Sequence, residues 1–263
     1  MEIIYAVVAL GSMGLVFGLL LAGASKYLSV EHDEKFPQII NALPGANCGG
    51  CGYSGCANFA HAVTIGKAHT NGCPVGGTKS SVKIAHIMGV KPHAPDTRVS
   101  FVHCAGSTGR TKKHYMYVGI DDCTAVNNIG GGQNSCKYSC LGLGNCVRHC
   151  QFGAIEIIDD IARVNPKKCV SCGRCVEVCP KGIIQLVPRK SKYIVQCSSK
   201  DNGATTKKNC DVGCIACKIC EKACPSGAIK VKDNLAKIDY TKCINCGECA
   251  LKCPKKIINN NKL

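Results

Sequence analysis

Nine cysteines recur along the chain in the same order and with a constant offset of 74 residues. Nine matches without a gap across 57 positions are not expected by chance, and Gly153-Ala154-Ile155 also recurs as Gly227-Ala228-Ile229. The sequence therefore contains two copies of one module. The paired cysteines are Cys123, Cys136, Cys140, Cys146, Cys150, Cys169, Cys172, Cys175 and Cys179 in the first copy, and Cys197, Cys210, Cys214, Cys220, Cys224, Cys243, Cys246, Cys249 and Cys253 in the second.

The number and spacing of the cysteines indicate what holds such a module together. The chain has 24 cysteines in 263 residues, while aromatic residues make up only 5% and Trp is absent, so large conventional cores are not expected. Disulfide-dense chains are usually small and secreted, and a single CxxC pair is typical of zinc. Here the pairs extend to CxxCxxCxxxCP, the run that holds 4Fe-4S clusters in bacterial ferredoxins. The spacing therefore favours iron-sulfur clusters.

The second copy has two complete runs of this kind. In such a pair, the first three cysteines of one run hold one cluster, and the fourth reaches across to the other. The segments 228–232 and 234–239 between the runs have the alternating, turn-separated pattern of a β-hairpin. The second copy is thus predicted to be a two-cluster ferredoxin fold. Its predicted ligands are Cys214, Cys217, Cys220 and Cys253 for one cluster, and Cys224, Cys243, Cys246 and Cys249 for the other.

The first copy departs from the standard run at one position. Leu143 stands where the second copy has Cys217, so a cluster there needs another third thiolate, and Cys136 is the nearest candidate. Since the second copy retains both Cys210 and Cys217, either could ligate, and Cys217 is preferred because it keeps the standard spacing. The predicted ligands of the first copy are Cys136, Cys140, Cys146 and Cys179 for one cluster, and Cys150, Cys169, Cys172 and Cys175 for the other.

A further cysteine group precedes the repeat. Phe36, Ile39, Ile40 and Leu43 follow the spacing of a buried helical face, and the segment NCGGCGYSGC comes directly afterwards. Zinc remains an alternative for this group, because its spacing is not that of a ferredoxin run. The ligands predicted for the cluster are Cys48, Cys51, Cys56 and Cys73.

These assignments give five 4Fe-4S clusters and leave Cys104, Cys123, Cys197 and Cys210 without a role. Four leftover cysteines permit a sixth cluster arithmetically. Because they are scattered over both copies, the preferred interpretation is that they are buried thiols that pack beside the strands predicted at 99–104 and 193–197.

The N-terminus carries the only long apolar segment. Ile3 to Ala24 is a stretch of 22 residues without a charge, long enough for a transmembrane helix. A signal peptide is the alternative, but no Lys or Arg precedes the stretch and it is long for that class. Lys26 and Lys35 follow it, so the positive-inside rule predicts a single-pass anchor in the cell membrane with the cluster domains in the cytoplasm.

The charge pattern narrows the choice of partners. The formal net charge is +16, of which five clusters at about −2 each would offset about 10. No long basic run interleaved with aromatic residues occurs, so nucleic acid is not an expected partner. The chain has no GxGxxG after a strand, no P-loop and no recognisable nucleophile with its base. Closed four-thiolate sites indicate electron transfer rather than catalysis.

The order of these parts resembles the B-subunit family of Rnf electron-transport complexes. The likeness rests on an N-terminal span, then NCGGCGYSGC followed by GCP at 72–74, then ferredoxin runs, and it covers nearly the whole chain. The resemblance implies an iron-sulfur subunit that accepts electrons from soluble ferredoxin and passes them to flavin subunits that reduce NAD, coupled to Na+ or H+ translocation. It also implies the membrane and other subunits of the complex as partners. Alternatives are a membrane-anchored polyferredoxin of another respiratory or hydrogenase-like complex, and a zinc-stabilised interaction protein.

The expected fold is α+β and is built from small iron-sulfur domains. We predict a transmembrane anchor at 1–28, a helical 4Fe-4S domain at 29–90 and a linker at 91–98. Two tandem bacterial-type ferredoxin modules follow, at 99–188 and 189–263.

Overall fold

The computed structural model describes residues 2–27, 34–93 and 97–260. It has the predicted α+β composition. The helices are α1 (Glu2–Tyr27), α2 (Lys35–Ala42), α3 (Cys56–Thr64), α4 (Gly77–Met88), α5 (Cys123–Asn128), α6 (Asn145–Arg148), α7 (Arg174–Glu177), α8 (Gly203–Asn209), α9 (Ile219–Lys222) and α10 (Glu248–Leu251). The strands are β1 (Arg98–Val102), β2 (Ile155–Ile158), β3 (Ile161–Val164), β4 (Ile184–Pro188), β5 (Tyr193–Val195), β6 (Ile229–Lys232), β7 (Leu235–Ile238) and β8 (Ile258–Asn260).

Each copy of the repeat folds around two antiparallel strand pairs. In the first copy β1 pairs with β4 and β2 with β3, whereas in the second β5 pairs with β8 and β6 with β7. The β6–β7 pair confirms the hairpin predicted at 228–239. Its turn residues Asp233 and Asn234 have positive φ angles of 51° and 59°, as do their equivalents Asp159 and Asp160 at 50° and 62°. Asp and Asn tolerate this conformation, which two-residue hairpin turns require.

The two copies have separate buried cores. One core runs from Val99 to Ile194 and includes β1 and β4, and the other runs from Val195 to Ile258. The division falls inside β5, a few residues after the boundary predicted at 188. In the part of the chain that the structure describes, the buried members of both cores are aliphatic residues and cysteines, with Phe101 as the one aromatic side chain. Cysteine sulfurs are therefore a structural part of each core.

The region before the repeat is a small helical unit. Its core contains Ile39 and Leu43 from the segment around α2, Phe59 from α3 and Ile84 from α4, and this confirms the helical face predicted from residues 36–43. Cys73 is buried in the same core, and Cys51 and Cys56 pack against it. The helices thus hold the cysteine loops in place.

Three predictions concern segments that the described residues cover only in part. In the described ranges we find no helix both long enough and apolar enough to cross a bilayer, so the predicted span is not confirmed. The first residues of the predicted helical domain, 29–33, and the middle of the predicted linker, 94–96, lie outside the described residues.

Candidate metal centres

All 24 cysteines lie in the described part of the chain, and each of them is a free thiol. Four short helices present the third cysteine of each run in the repeat: α6 holds Cys146, α7 Cys175, α9 Cys220 and α10 Cys249. All four side chains are buried. The remaining cysteines of the runs lie in the loops around these helices, so each short helix forms one wall of a site.

The second copy brings its predicted ligands together. Cys214, Cys217, Cys220 and Cys253 line one cavity, which Ile257 and Ile258 close from the core side. Cys210 does not line this cavity. In the other run, burial raises the pKa of Cys249 to about 11, and the nearby sulfurs of Cys243, Cys224 and Cys246 add to the rise.

The regular run of the first copy is also assembled. The Cys175 sulfur interacts electrostatically with Cys169, Cys172 and Cys150. Its Sγ lies 3.1 Å from the hydroxyl of Ser100 on β1. The Ala154 N–H donates to Cys150 Sγ at 3.3 Å, and such hydrogen bonds to sulfur tune the potential of a bound cluster.

The irregular run is assembled differently from the prediction. The cavity beside α6 is lined by Cys123, Cys140, Cys146 and Cys179, and Cys136 is not among its lining residues. Cys136 lies instead with Cys197 and Cys210, whose sulfurs contribute to its raised pKa. The four residues predicted for this cluster are therefore not brought together, because Cys123 takes the position expected for Cys136.

A polar network explains how Cys123 reaches this cavity from 17 residues before Cys140. Asp122 caps α5 by accepting a hydrogen bond from the Ala125 N–H at 2.8 Å. The buried amide of Asn145 on α6 donates to the other Asp122 oxygen at 2.9 Å, and its own oxygen accepts from the Cys123 N–H at 2.8 Å. These bonds dock the start of α5 against α6. The sequence did carry a signal for this role, since Cys123 recurs as Cys197 in the second copy.

The first cysteine group is held by its helical unit. The sulfurs of Cys51 and Cys56 lie close enough to Cys73 to raise its pKa, although burial is the larger cause. The Gly76 N–H donates to Cys73 Sγ at 3.3 Å. Asn47 accepts from the Cys56 N–H at 2.8 Å and so ties the two ends of the loop together. Cys48 is buried and also interacts electrostatically with Cys172 of the first ferredoxin-like copy.

Burial keeps two of the predicted cysteine ligands protonated when no metal is bound. Burial raises the pKa of Cys146 to about 12, and the neighbouring Cys140 and Cys123 sulfurs add to the rise. Burial likewise raises the pKa of Cys220 to about 11, with Cys214 and Cys253 contributing. The Cys146 and Cys220 thiols therefore keep their protons at neutral pH without a metal, and binding of a cluster must displace these protons.

The arrangement of the sulfurs fits a four-iron cluster better than a single ion. In the described ranges no three Cys, His, Asp or Glu side chains are close enough together to hold one metal ion. A tetrahedral zinc site would bring its sulfurs to about 3.8 Å from one another, given Zn–S bonds of about 2.3 Å. A 4Fe-4S cluster binds each thiolate through a different iron, and it therefore suits cysteines set around a wider cavity.

Comparisons with known families agree with this chemistry. Residues 43–75 match the family described as "Putative Fe-S cluster", residues 162–185 match the 4Fe-4S binding domain, and residues 213–258 match the 4Fe-4S dicluster domain. Ferredoxin-type 4Fe-4S domains are therefore present in both copies. Together the matched regions contain 16 of the 24 cysteines.

Whole-chain relatives decide the family. The B subunit of the Na(+)-translocating ferredoxin:NAD(+) oxidoreductase complex of Acetobacterium woodii is 43% identical over 253 residues, which are 96% of this chain and 76% of the relative. The chain belongs to the B-subunit family of Rnf complexes. The B subunit of the ion-translocating oxidoreductase complex of Methanosarcina acetivorans is 39% identical over 97% of both chains. The B subunit of the proton-translocating ferredoxin:NAD(+) oxidoreductase complex of Clostridium ljungdahlii is 41% identical over 96% of this chain and 90% of the relative.

Other members of the family match a shorter part of this chain. The B subunit of the ion-translocating oxidoreductase complex of Shewanella amazonensis is 33% identical over 153 residues, which are 58% of this chain. The Rnf B-subunit family thus includes members that align with this chain nearly end to end and members that align with about half of it.

Proposed function

We propose that this protein is the iron-sulfur electron-transfer subunit of an Rnf-type membrane complex. In this role it accepts electrons from reduced ferredoxin and passes them towards flavin subunits that reduce NAD, coupled to Na+ or H+ translocation. The observation that carries the proposal is the grouping of cysteines around separate sites within one chain. The family supports the overall reaction, since two relatives are named as subunits of Na+-translocating and proton-translocating ferredoxin:NAD+ oxidoreductase complexes.

The proposed ligands follow the cavities and the electrostatic groupings. The bound clusters would supply one-electron redox chemistry. The chain's own contribution is to hold the thiolates, to donate hydrogen bonds to their sulfurs and to exclude water from the buried ones. The five sites are Cys48, Cys51, Cys56 and Cys73; Cys123, Cys140, Cys146 and Cys179; Cys150, Cys169, Cys172 and Cys175; Cys214, Cys217, Cys220 and Cys253; and Cys224, Cys243, Cys246 and Cys249.

Equivalent cysteines of the two copies have different surroundings, and this difference suggests the direction in which electrons pass through the protein. A Cβ added at Gly50 would lie 2.8 Å from the Cys172 backbone, so the first cysteine group packs directly on the Cys172 loop. The equivalent residue of the second copy, Cys246, is exposed. The first copy therefore supports a contact inside the protein, whereas the second supports a contact with an external partner.

An acidic electron carrier such as ferredoxin is the partner we propose for the Cys246 side. Ile244 and Leu251 flank Cys246 in the sequence and are 65% and 78% exposed, and Lys242 nearby is also exposed. Exposed apolar side chains with a charged residue at their edge are typical of transient electron-transfer interfaces, where charge steers the encounter.

Leu251→Glu tests this contact. The substitution adds a negative charge and removes exposed apolar area, so we expect kcat/KM for reduction by ferredoxin to fall about tenfold, the equivalent of about 1.4 kcal/mol. Stopped-flow bleaching of the visible absorption of the anaerobic protein measures the rate. Met116→Glu is the matched control, because Met116 is 85% exposed and lies away from the cysteine runs. Equal rates for both variants and the original chain would contradict the proposed docking site.

The same preparation tests the proposed function as a whole. Iron-sulfur clusters give a brown protein that bleaches on reduction, whereas zinc thiolates are colourless. A coloured protein that reduced ferredoxin bleaches within the time of turnover supports the proposal. A colourless protein with stoichiometric zinc would favour the zinc-stabilised interaction protein and overturn the electron-transfer role.

We also propose that the uncharged stretch from Ile3 to Ala24 anchors the chain in the cell membrane as a single span, with the cysteine sites on the cytoplasmic side. Among its described side chains, Leu15, Phe17 and Leu20 on α1 are more than half exposed, so they have little protein to pack against. Lys26 and Lys35 after the stretch support this orientation.

Two arginines in this helix test the anchor. Met13→Arg together with Phe17→Arg would place two charges near the middle of the stretch, each costing about 2.5 to 3.5 kcal/mol of insertion energy. We expect the full chain to move from the membrane pellet to the soluble fraction on fractionation. Tyr5→Arg, close to the end of the stretch, is the control and should leave the chain in the pellet. Retention of the double variant would contradict the anchor.

A further inference from the structure

A sixth group of cysteines lies at the junction of the two ferredoxin-like copies. Cys104, Cys136, Cys197 and Cys210 line one cavity, although they are separated by up to 106 residues in the sequence. They are the four cysteines that the five sites above leave unused. None of them lies in a region that matches a known cluster family. From this convergence we infer that the four cysteines hold a sixth 4Fe-4S cluster, which joins the two copies electronically.

The cavity is comparable to those of the sites already described. The space within it that protein atoms leave unfilled is about 320 Å³, against about 350 Å³ around Cys214 and about 380 Å³ around Cys123. Cys104 and Cys210 are buried and Cys136 and Cys197 are partly buried. The sulfurs of Cys197 and Cys210 both act on Cys136, and Cys136 acts on Cys104, so the four form one electrostatic group.

Both copies build the walls of this cavity through backbone pairing. Thr111 forms a β-bridge with Cys210, the Lys112 N–H donates to the Asn209 carbonyl at 3.1 Å, and the Asp211 N–H donates to the Arg110 carbonyl at 2.9 Å. An ion pair between Lys137 and Asp201, 3.5 Å apart, adds a link beside Cys136. The four cysteines therefore meet because the segment 110–112 is held against the end of α8.

The sulfurs of this group already receive hydrogen bonds of the kind found at the other sites. Cys197 Sγ accepts from the N–H groups of Ser199 at 3.4 Å and Cys214 at 3.3 Å. Cys104 Sγ accepts from the Cys140 N–H at 3.5 Å. The Thr111 hydroxyl lies 3.6 Å from Cys210 Sγ and donates to the Gly106 carbonyl at 3.0 Å. Donors directed at sulfur stabilise thiolates and the negative charge of a cluster. A set of ordinary packed thiols would not need them.

One buried polar atom at the cavity lacks a partner of its own. His103 lines the cavity, and its Nδ1 lies 2.7 Å from the Val195 carbonyl, which can only accept a hydrogen bond. Its other nitrogen, Nε2, is buried and makes no hydrogen bond within the part of the chain that the structure describes. Because the contact with Val195 fixes the proton on Nδ1, Nε2 of the neutral ring can only accept a hydrogen bond, so His103 forms part of the cavity wall and does not itself bind the sulfurs of a cluster.

The repeat explains why these four cysteines are available. The first copy has Leu143 in place of a third ligand and uses Cys123 instead, whereas the second copy has Cys217 at the equivalent position. Cys197, the equivalent of Cys123, is therefore not needed in its own module. It can combine with Cys210, with Cys136 from the first copy and with Cys104 from the end of β1.

The position of the sixth site gives it a role in electron transfer between the two copies, and this role rests on the proposed function. Cys140 and Cys214 donate their N–H groups to Cys104 and Cys197, and each is a proposed ligand of a cluster in one of the two copies. The sixth site therefore neighbours one site on each side. One electron at a time moves between neighbouring sites, so that one is oxidised as the next is reduced, without a change in bonds or protons. Ferredoxin supplies the electrons.

Iron content and pairs of substitutions test the site without relying on turnover. The purified full chain, prepared without oxygen, should hold about 24 irons for six clusters, and Cys136→Ser should hold about 20. Because Cys136 and Cys197 share a site, Cys136→Ser combined with Cys197→Ser should also hold about 20. Because Cys123 belongs to another site, Cys136→Ser combined with Cys123→Ser should fall to about 16. A content of about 20 in the original chain, unchanged by Cys136→Ser, would overturn the inference while leaving the proposed function intact.

A milder variant keeps the test valid if serine substitutions disturb folding. Thr111→Val removes the hydroxyl dipole that lies 3.6 Å from Cys210 Sγ and preserves the shape of the side chain. We expect full iron content and a changed reduction potential for one centre only, measured by EPR during a redox titration, since a dipole this close to a ligating sulfur acts mainly on the cluster that the sulfur binds. Unchanged potentials at all centres would contradict a cluster at Cys210. Full iron with no reduction by ferredoxin would contradict the proposed function and not the sixth site.

Discussion

A cysteine introduced at position 143 is expected to rescue a chain that has lost Cys123. Cys123→Ser should remove one cluster and about four irons, because Cys123 lines the cavity with Cys140, Cys146 and Cys179. Adding Leu143→Cys should return those irons, since position 143 is the repeat equivalent of Cys217. Iron and acid-labile sulfide per chain, with EPR of the reduced protein, measure both changes.

The backbone around residue 143 already has the conformation found around Cys217. Gly142 and Gly144 flank position 143 with φ angles of +75° and +78°, and their equivalents Ala216 and Lys218 flank Cys217 with +56° and +59°. Non-glycine residues rarely adopt such angles, so their recurrence indicates that the loop follows the same path in both copies. A cysteine at 143 would therefore start from the same backbone position as Cys217.

The control for this rescue is the same Leu143→Cys substitution in a chain that has lost Cys136 instead of Cys123. Leu143→Cys combined with Cys136→Ser should not restore the lost iron, because Cys136 lines the junction cavity instead of the one beside α6. If Leu143→Cys restored iron after loss of Cys136 but not after loss of Cys123, the ligand set predicted from the sequence would be correct. The assignment that follows the cavities would then be wrong.

This exchange of Cys123 for Cys136 shows where the sequence pattern stops being informative. The sequence predicted the hairpin at 228–239, and the runs predicted which cysteines share a loop, because spacing of two or three residues keeps thiols together. Cys123 and Cys136 lie outside any run. Which of them reaches α6 depends on the contacts of Asp122 with Asn145, and these form only in the folded chain.

The junction site was hidden from the sequence for the same reason. Its four cysteines come from four separate segments, and no spacing connects Cys104 with Cys197. The pairing of 110–112 with 209–211 brings them together, and this pairing consists of a few backbone hydrogen bonds between irregular segments. The sequence carried two traces of the site: Cys123 and Cys136 recur in both copies, and five clusters leave four cysteines over. Neither trace showed where these cysteines lie.

Gly50→Ala is expected to slow electron transfer between the first cysteine group and the ferredoxin-like copies without any loss of iron. A Cβ at this position would lie 2.8 Å from both the Cα and the carbonyl oxygen of Cys172, and 3.1 Å from Pro74. Because backbone atoms cannot rotate away, the two surfaces must separate. Overpacking of this kind costs about 1 to 3 kcal/mol, which corresponds to a change of about 5- to 150-fold in the fraction of chains that keep the contact.

The measurement is the rate at which the first site becomes reduced after mixing with reduced ferredoxin, followed by freeze-quench EPR. Its signal is identified by difference from Cys73→Ser, which should lack this site alone. We expect the reduction of the other sites to keep its rate, while that of the first site falls in proportion to the lost contact. Gly52→Ala is the control in the same loop: it strains a backbone with φ of +84° but its Cβ would meet nothing within 4 Å. Because Gly50 packs against Cys172 and Gly52 does not, an equal slowing in both variants would show that electrons reach the first site by another route.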